Sequence, residues 1–185
     1  MKRSLSSFFA FAAFAAADAG GAAAFTLKSP DIAEGARIDM KHVYDSFGCT
    51  GGNLSPALVW SEPPAGTKSC AVLMHDPDAP TGGAGFWHWL VVDIPADVRE
   101  LKQGAGNRSG KNLPAGARQL ETDFGEKAYG GPCPPPGAPH RYVITVYALK
   151  IDKLGDAADG RTAIAGFTIN ANALAKASVT GLFGR

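Results

Sequence analysis

The chain has 185 residues and a formal net charge of +1, with 19% charged residues, and no block of like charge occurs along it. This balance gives no basis for a nucleic-acid partner or for binding to an acidic membrane surface through basic residues. The 161 residues from 25 to 185 are enough for one domain with a substantial core.

Residues 1–24 have the layout of a secretory signal peptide. Lys2 and Arg3 precede a run of Ser, Phe, Ala and Leu at 5–17, and Ala-x-Ala exits end at Ala19 and Ala24. We favour cleavage after Ala24. An uncleaved membrane anchor is the alternative, but the run falls short of the roughly 20 residues that a spanning helix needs. We therefore predict an exported protein, periplasmic or secreted.

The first part of the mature chain predicts strands separated by turns. Residues 25–40 alternate weakly and predict edge strands, and a turn at 53–56 leads into a strand that ends near Trp60. The apolar runs 70–74 and 90–94 have the length of strands buried on both faces. Residues 95–129 predict a long surface excursion, with inward packing only at 123–125 and Tyr129.

The stretch 76–89 predicts a functional loop between the two buried strands. Prolines on both sides of Asp78 restrict the backbone, and glycines then allow a turn before His88, which lies between two tryptophans. Two carboxylates, an imidazole and three aromatic side chains in one loop favour a small polar pocket with apolar walls. His75, just before the loop, is interpreted as a polar residue at a strand end.

The second half predicts a long strand and a terminal helix. A Pro/Gly-rich loop delivers His140 to the strand 142–149, which is apolar on both faces as in the centre of a sandwich. Thr162 can cap a helix, and apolar residues then recur at three- and four-residue spacing, which predicts one buried stripe. That stripe consists of Ile164, Phe167, Ala171, Leu174, Ala175 and Val179.

Three cysteines cannot all pair within one chain. Cys49 and Cys133 lie in loops, whereas Cys70 begins an apolar strand. We predict a Cys49–Cys133 disulfide, with Cys70 buried and reduced. Three free thiols are the alternative, because spacing alone does not fix connectivity.

Several motifs resemble the phosphatidylethanolamine-binding protein (PEBP) family, in particular its bacterial YbhB/YbcL, or Raf kinase inhibitor-like, branch. The two signature regions are Asp76-Pro77-Asp78-Ala79-Pro80 with His88 ahead of an apolar strand, and Gly131-Pro132 with His140-Arg141-Tyr142. The similarity extends from about residue 25 to residue 185, so it covers the whole predicted mature chain.

The resemblance implies a mainly β fold: an antiparallel β-sandwich with a C-terminal helix and long connecting loops, in a single domain over 25–185. It also implies a small anion pocket for a phosphate-like or phospholipid head group, with no cofactor and no metal. Phe86 stands where relatives often have Trp. The implied pocket residues are Asp76, Pro80, Phe86, His88, Gly131, His140 and Tyr142, and we add Asp78 to the predicted ligand-binding residues because the same proline-restricted turn holds its carboxylate.

The residue chemistry is consistent with an anion pocket. Two imidazoles can each donate a charge-assisted hydrogen bond, and the Asp76 carboxylate would fix a histidine tautomer and raise the pKa of that histidine. Acidification should then tighten phosphate binding.

Three functions compete. The first is a binding module for a small anionic or phosphorylated ligand, extended to an inhibitor or modulator of a protein partner. The second is an acid-base enzyme, an isomerase or hydrolase, since no Ser or Cys is placed as an activated nucleophile. The third is a metal site, although a short ligand repeat is lacking. The last two would use Asp76, Asp78, His88 and His140. We predict no catalytic residue and no nucleic-acid partner, and a homodimer is compatible with the sequence.

Overall fold

A computed structural model describes residues 23–185. The predicted signal peptide therefore lies outside the described residues, apart from its last two positions. Within 23–185 we find no helix with the length and apolarity that crossing a membrane requires.

Eight strands, one α-helix and two short 3-10 helices make up the described chain. The strands are β1 (Leu27–Lys28), β2 (Leu58–Trp60), β3 (Ser69–Asp76), β4 (Phe86–Pro95), β5 (Glu100–Leu101), β6 (Arg118–Gln119), β7 (His140–Leu149) and β8 (Ala173–Phe183). Helix α1 spans Thr162–Asn172, and the 3-10 helices span Met40–His42 and Asp156–Ala158.

The strands form two antiparallel sheets. A three-stranded sheet has the order β1-β2-β5, and a five-stranded sheet has the order β6-β4-β3-β7-β8. The predicted mainly β architecture with a helix near the C-terminus is confirmed.

Buried side chains lie on both faces of the five-stranded sheet because its central strands alternate between two apolar faces. On one face, Met74, Trp89 and Ile144 pack with Leu58 and Trp60 of the smaller sheet. On the other face, apolar residues of β3, β4 and β7 pack with Ala165 and Ile169 of α1. This arrangement matches the prediction that 142–149 is apolar on both sides.

The prediction of a long C-terminal helix is wrong. Helix α1 ends at Asn172, and residues 173–183 form β8, which pairs along the whole of β7. The predicted stripe also faces the wrong way, since Ile164 and Phe167 are exposed while Ala165 and Ile169 are buried. Alanine-rich sequence favours a helix locally, but pairing with an already buried strand outweighs that preference.

Three other boundaries differ from the predictions. Strand β4 begins at Phe86, so the aromatic-histidine cluster lies in a strand and the loop spans only 77–85. The region 25–40 holds a single two-residue strand, β1. The excursion 95–129 contributes β5 and β6 and more of the core than predicted: Leu101, Ala105, Leu120 and Ala128 are also buried.

The cysteines follow the prediction. Cys49 and Cys133 form a disulfide across 84 positions of sequence. Cys70 is a buried free thiol at the start of β3, and burial raises its pKa to about 11. The bridge therefore ties the 46–50 loop to the Pro/Gly-rich loop before β7.

Candidate functional site

The candidate site lies at one end of the five-stranded sheet, where three neighbouring strands bring distant sequence together. Asp76 ends β3 and pairs with Phe86, the first residue of β4. His140 begins β7, the other neighbour of β3. In antiparallel strands the end of one lies beside the start of the next, so the two motifs meet here.

The turn from β3 into β4 depends on a glycine. Gly85 has a φ of +70°, and a Cβ there would lie 2.3 Å from His75 Nε2 and 2.7 Å from the Asp76 carbonyl oxygen. His75 itself lies at the strand end as predicted, with its ring centroid 4.3 Å from that of Trp87. Any side chain at 85 would therefore displace the strand end that carries Asp76.

The buried Asp76 pairs with the half-buried His140. His140 Nδ1 donates to Asp76 Oδ2 over 2.8 Å, and the Asp78 backbone N–H donates to Asp76 Oδ1 over 2.9 Å. The carboxylate thus fixes the His140 tautomer with its proton on Nδ1, as predicted for one of the two histidines. Within residues 23–185, His140 Nε2 has no hydrogen-bond partner, so it is free to contact a ligand.

Asp78 faces away from this pair and contacts Arg141. The guanidinium donates to both carboxylate oxygens over 2.6 and 2.9 Å, and the Arg141 backbone N–H donates over 2.9 Å. These bonds lower the pKa of Asp78 to about 2. Asp78 borders a neighbouring surface depression and anchors the 77–85 loop to β7.

His88 is almost fully buried and differs from expectation. Its Nδ1 donates to the Gly130 carbonyl over 2.8 Å, and the Gly130 N–H donates to the His88 carbonyl over 2.9 Å. Burial lowers the pKa of His88 to about 4, against the smaller opposing effect of Asp76. His88 is therefore a neutral ring at neutral pH with its proton directed to Gly130, and the expectation that both imidazoles donate to an anion is wrong for His88.

Tyr142 carries a buried hydroxyl without a well-formed hydrogen bond. The side chain is fully buried, and within the described residues its Oη makes no hydrogen bond of good geometry, although the Asp76 carboxylate lies near it. Burial and the nearby Asp76 carboxylate both raise its pKa, so the hydroxyl keeps its proton and remains a donor.

These groups surround a cavity of about 180 Å³. Its polar side is formed by Asp76, His88, His140 and Tyr142, and the rest is mostly apolar. Phe47, at its mouth, is 67% exposed. The other lining residues are Ala79, Pro80, Thr81, Phe86, Phe124, Cys133, Pro134 and Pro135.

Six of the eight predicted residues line this cavity: Asp76, Pro80, Phe86, His88, His140 and Tyr142. Asp78 lies beside it, as described above. Gly131 supports the wall from behind: its N–H donates to Asn53 Oδ1 over 2.8 Å, and a Cβ there would lie 2.1 Å from the His42 carbonyl oxygen. Gly131 therefore permits close backbone contact, and its N–H is already occupied.

The sequence did not identify Phe47 and Phe124 as pocket residues. Phe124 packs edge-on against both Phe86 and His88, with ring centroids 4.9 and 5.3 Å away. Phe124 was expected only to pack inward, and Phe47 was assigned no role. Both lie in irregular loops, where no periodicity assigns a side chain to a face.

The described residues offer no obvious metal centre. In the part of the chain from 23 to 185, no three His, Cys, Asp or Glu side chains come together as a ligand set.

Comparison with known proteins places these observations in context. Residues 28–184 match the sequence pattern of a family described as phosphatidylethanolamine-binding protein. The UPF0098 protein YbcL of Escherichia coli K12 is 48% identical over 163 residues, covering 88% of each chain. The UPF0098 protein YbhB of the same strain is 45% identical over 157 residues, covering 85% of this chain and 98% of YbhB.

Solved structures show the same similarity. The crystal structure of E. coli YbcL superposes with a TM-score of 0.85 at 47% identity, covering 88% of this chain and 99% of that one. The phosphatidylethanolamine-binding protein homolog CT736 of Chlamydia trachomatis superposes with a TM-score of 0.72 at 29% identity, covering 88% and 98%.

Proposed function

This chain belongs to the phosphatidylethanolamine-binding protein family, and from that premise we propose that its cavity binds a phosphate-like anion, free or in a head group. The Tyr142 hydroxyl carries the proposal. A buried hydrogen-bond donor without a partner raises the free energy of the folded protein. A ligand that supplies an acceptor oxygen would remove this cost, so the cavity should favour such a ligand.

The charges around the cavity are compatible with an anion. Asp76, the acidic side chain in its lining, already accepts two hydrogen bonds, from His140 and from the Asp78 backbone. Asp78 forms an ion pair with Arg141 outside the cavity. Both carboxylates near the cavity are therefore already hydrogen-bonded or ion-paired, which lowers the repulsion that an anion would meet.

The size and walls of the cavity favour a small head group. About 180 Å³ is below the roughly 300–1,000 Å³ of pockets for drug-sized ligands. Phenylalanine and proline side chains form most of the wall and exclude water, which strengthens the few polar contacts.

We expect purified protein to bind inorganic phosphate, and Tyr142→Phe to weaken that binding by about 10- to 100-fold, because a hydrogen bond to a charged group is lost. Isothermal titration calorimetry measures the affinity. The matched control is Tyr147→Phe, the same chemical change on the same strand with its ring in the core on the α1 side of the sheet. Equal affinities of the wild type and Tyr142→Phe would contradict the proposal.

The Asp76–His140 pair favours one alternative, an acid-base enzyme in which His140 Nε2 accepts a proton while Asp76 orients the ring. Turnover on a panel of phosphoesters and carbonyl compounds, lost in His140→Gln and retained in Tyr147→Phe, would establish this alternative.

We also propose that the protein is exported. The basic start, apolar run and Ala-x-Ala exits support export, and a disulfide is typical of oxidising compartments. Expression of the full chain in a bacterial host, followed by fractionation and N-terminal sequencing, should give a periplasmic or secreted protein that begins at Phe25. An intact N-terminus on protein recovered from the cytoplasm would contradict export.

A further inference from the structure

The tautomer of His88 is set by the backbone. Its Nδ1 lies 2.8 Å from the Gly130 carbonyl oxygen, which can only accept, so the ring proton must be on Nδ1. The Gly130 N–H donates back to the His88 carbonyl, which holds the two segments in register. In a neutral ring, Nε2 then has a lone pair and no proton.

The groups that face His88 leave this ring neutral. Asp76 and His75 of β3 act on its pKa in opposite directions, and His140 and Tyr142 of β7 line the same cavity. The remaining neighbours are the aromatic rings of Phe86 on its own strand and Phe124 in the facing loop. The Arg141 guanidinium is bound to Asp78 outside the cavity. Burial dominates and opposes protonation.

The cavity therefore presents acceptors and a donor to the same small ligand, since His140 Nε2, like His88 Nε2, has no proton in the tautomer that its Nδ1 hydrogen bond fixes. Among residues 23–185 the His88 ring is hydrogen-bonded through Nδ1, not through Nε2, and Tyr142 Oη makes no hydrogen bond of good geometry, although the Asp76 carboxylate lies near it. The His88 and Tyr142 rings line the same cavity and meet nearly perpendicularly, with centroids 5.1 Å apart, so a small oxyanion in the cavity can contact both side chains. An oxygen without a proton would place its lone pair against that of Nε2, whereas an O–H group would donate to it.

Building on the anion pocket proposed above, we propose that the cavity selects oxyanions that carry a proton: hydrogen phosphate and singly protonated phosphate monoesters, over sulfate and phosphate diesters. Tyr142 donates to an unprotonated oxygen of the ligand, and the ligand P–OH donates to His88 Nε2. A diester has no such proton at any physiological pH.

The first test compares phosphate with sulfate by isothermal titration calorimetry near about pH 8, where both ions are mainly dianions but only phosphate keeps a proton. We expect phosphate to bind about 10- to 100-fold more tightly, because the unprotonated ion leaves a buried acceptor unpaired. Equal affinities would overturn this inference and leave the anion pocket standing. Binding of neither ion would overturn both.

The second test separates free phosphate from head groups. Methyl phosphate should bind more tightly as the pH falls through about 6, where it gains its proton. Dimethyl phosphate should stay weak throughout. Dihexanoyl phosphatidic acid, a lipid monoester, should bind below this pH, and the matching phosphatidylethanolamine, a diester, should not. Any effect of pH on the charge of the protein itself appears in the sulfate and dimethyl phosphate titrations and is subtracted.

Two further measurements identify His88 as the cause. In the ¹⁵N spectrum at about pH 7, His88 should show the neutral tautomer protonated at Nδ1. An Nε2–H tautomer or an imidazolium would overturn the inference. His88→Asn keeps a donor for the Gly130 carbonyl but is too short to present an acceptor to the ligand. Its phosphate-to-sulfate affinity ratio should fall toward one, and an unchanged ratio would contradict the inference.

Discussion

The free energy of unfolding should fall by about 3 kcal/mol as the pH is lowered from about 6.5 to about 4, because of His88 alone. Its pKa is about 4 in the folded protein and has the ordinary value of 6.5 in the unfolded chain. Between these values the unfolded chain binds a proton that the folded protein does not, so acidification stabilises the unfolded state. Above about pH 6.5, His88 is neutral in both the folded and the unfolded state, so it no longer favours unfolding.

Carboxylates with lowered pKa values act in a different range. Asp31 and Asp78 both have a pKa of about 2, compared with 3.8 for an ordinary Asp. The stability that they contribute is present above pH 3.8 and is lost as the pH falls toward 2. They therefore have little effect in the window between about pH 4 and pH 6.5, where His88 acts.

Urea unfolding of wild type and His88→Asn at several pH values across the window measures this effect. His88→Asn should be less stable near neutral pH, because an imidazole is lost from a packed site, but its stability should change much less over the window. His75→Asn, a change at the half-exposed neighbouring histidine, is the control and should keep most of the wild-type pH dependence, because burial is the main cause of the lowered pKa of His88 and His75 is a minor one. Parallel profiles for wild type and His88→Asn would show that His88 is not the cause.

Much of the fold follows from local sequence pattern. The strand at 142–149 was predictable because apolar residues on both faces require burial on both sides, and the sheet provides it through the smaller sheet and α1. Residues 173–183 were not predictable in the same way. Their alanines favour a helix locally, and only the length of β7 that they cover makes a strand more stable.

The site was predictable in its residues and not in its electrostatics. The motifs around Asp76 and His140 identify side chains that do meet over 2.8 Å. The protonation of His88 depends on the Gly130 carbonyl, 42 positions away, and on burial under Phe124. Neither contact leaves a pattern in the sequence near His88, so the sequence could not show that this ring is neutral and has its proton turned away from the cavity.

Removal of the Cys49–Cys133 disulfide should lower the free energy of unfolding by about 4 kcal/mol and also weaken phosphate binding. The bridge joins residues 84 positions apart, and the chain-entropy model assigns a stabilisation of this size to so long a loop. Cys133 also lines the cavity beside Pro134, and the 46–50 loop carries Phe47 at the mouth. Loss of the bridge would let these two walls separate.

Urea unfolding and phosphate titration of the double variant Cys49→Ala/Cys133→Ala measure both effects. Wild type in dithiothreitol should match the double variant, and the reductant should leave the double variant itself unchanged. Cys70 does not complicate the comparison, because burial raises its pKa to about 11 and little reactive thiolate forms. If the free energy of unfolding of the double variant fell by less than about 1 kcal/mol, loop closure would contribute far less than the chain-entropy model assigns. If the double variant bound phosphate as tightly as the wild type, the two walls of the cavity would hold together without the bridge.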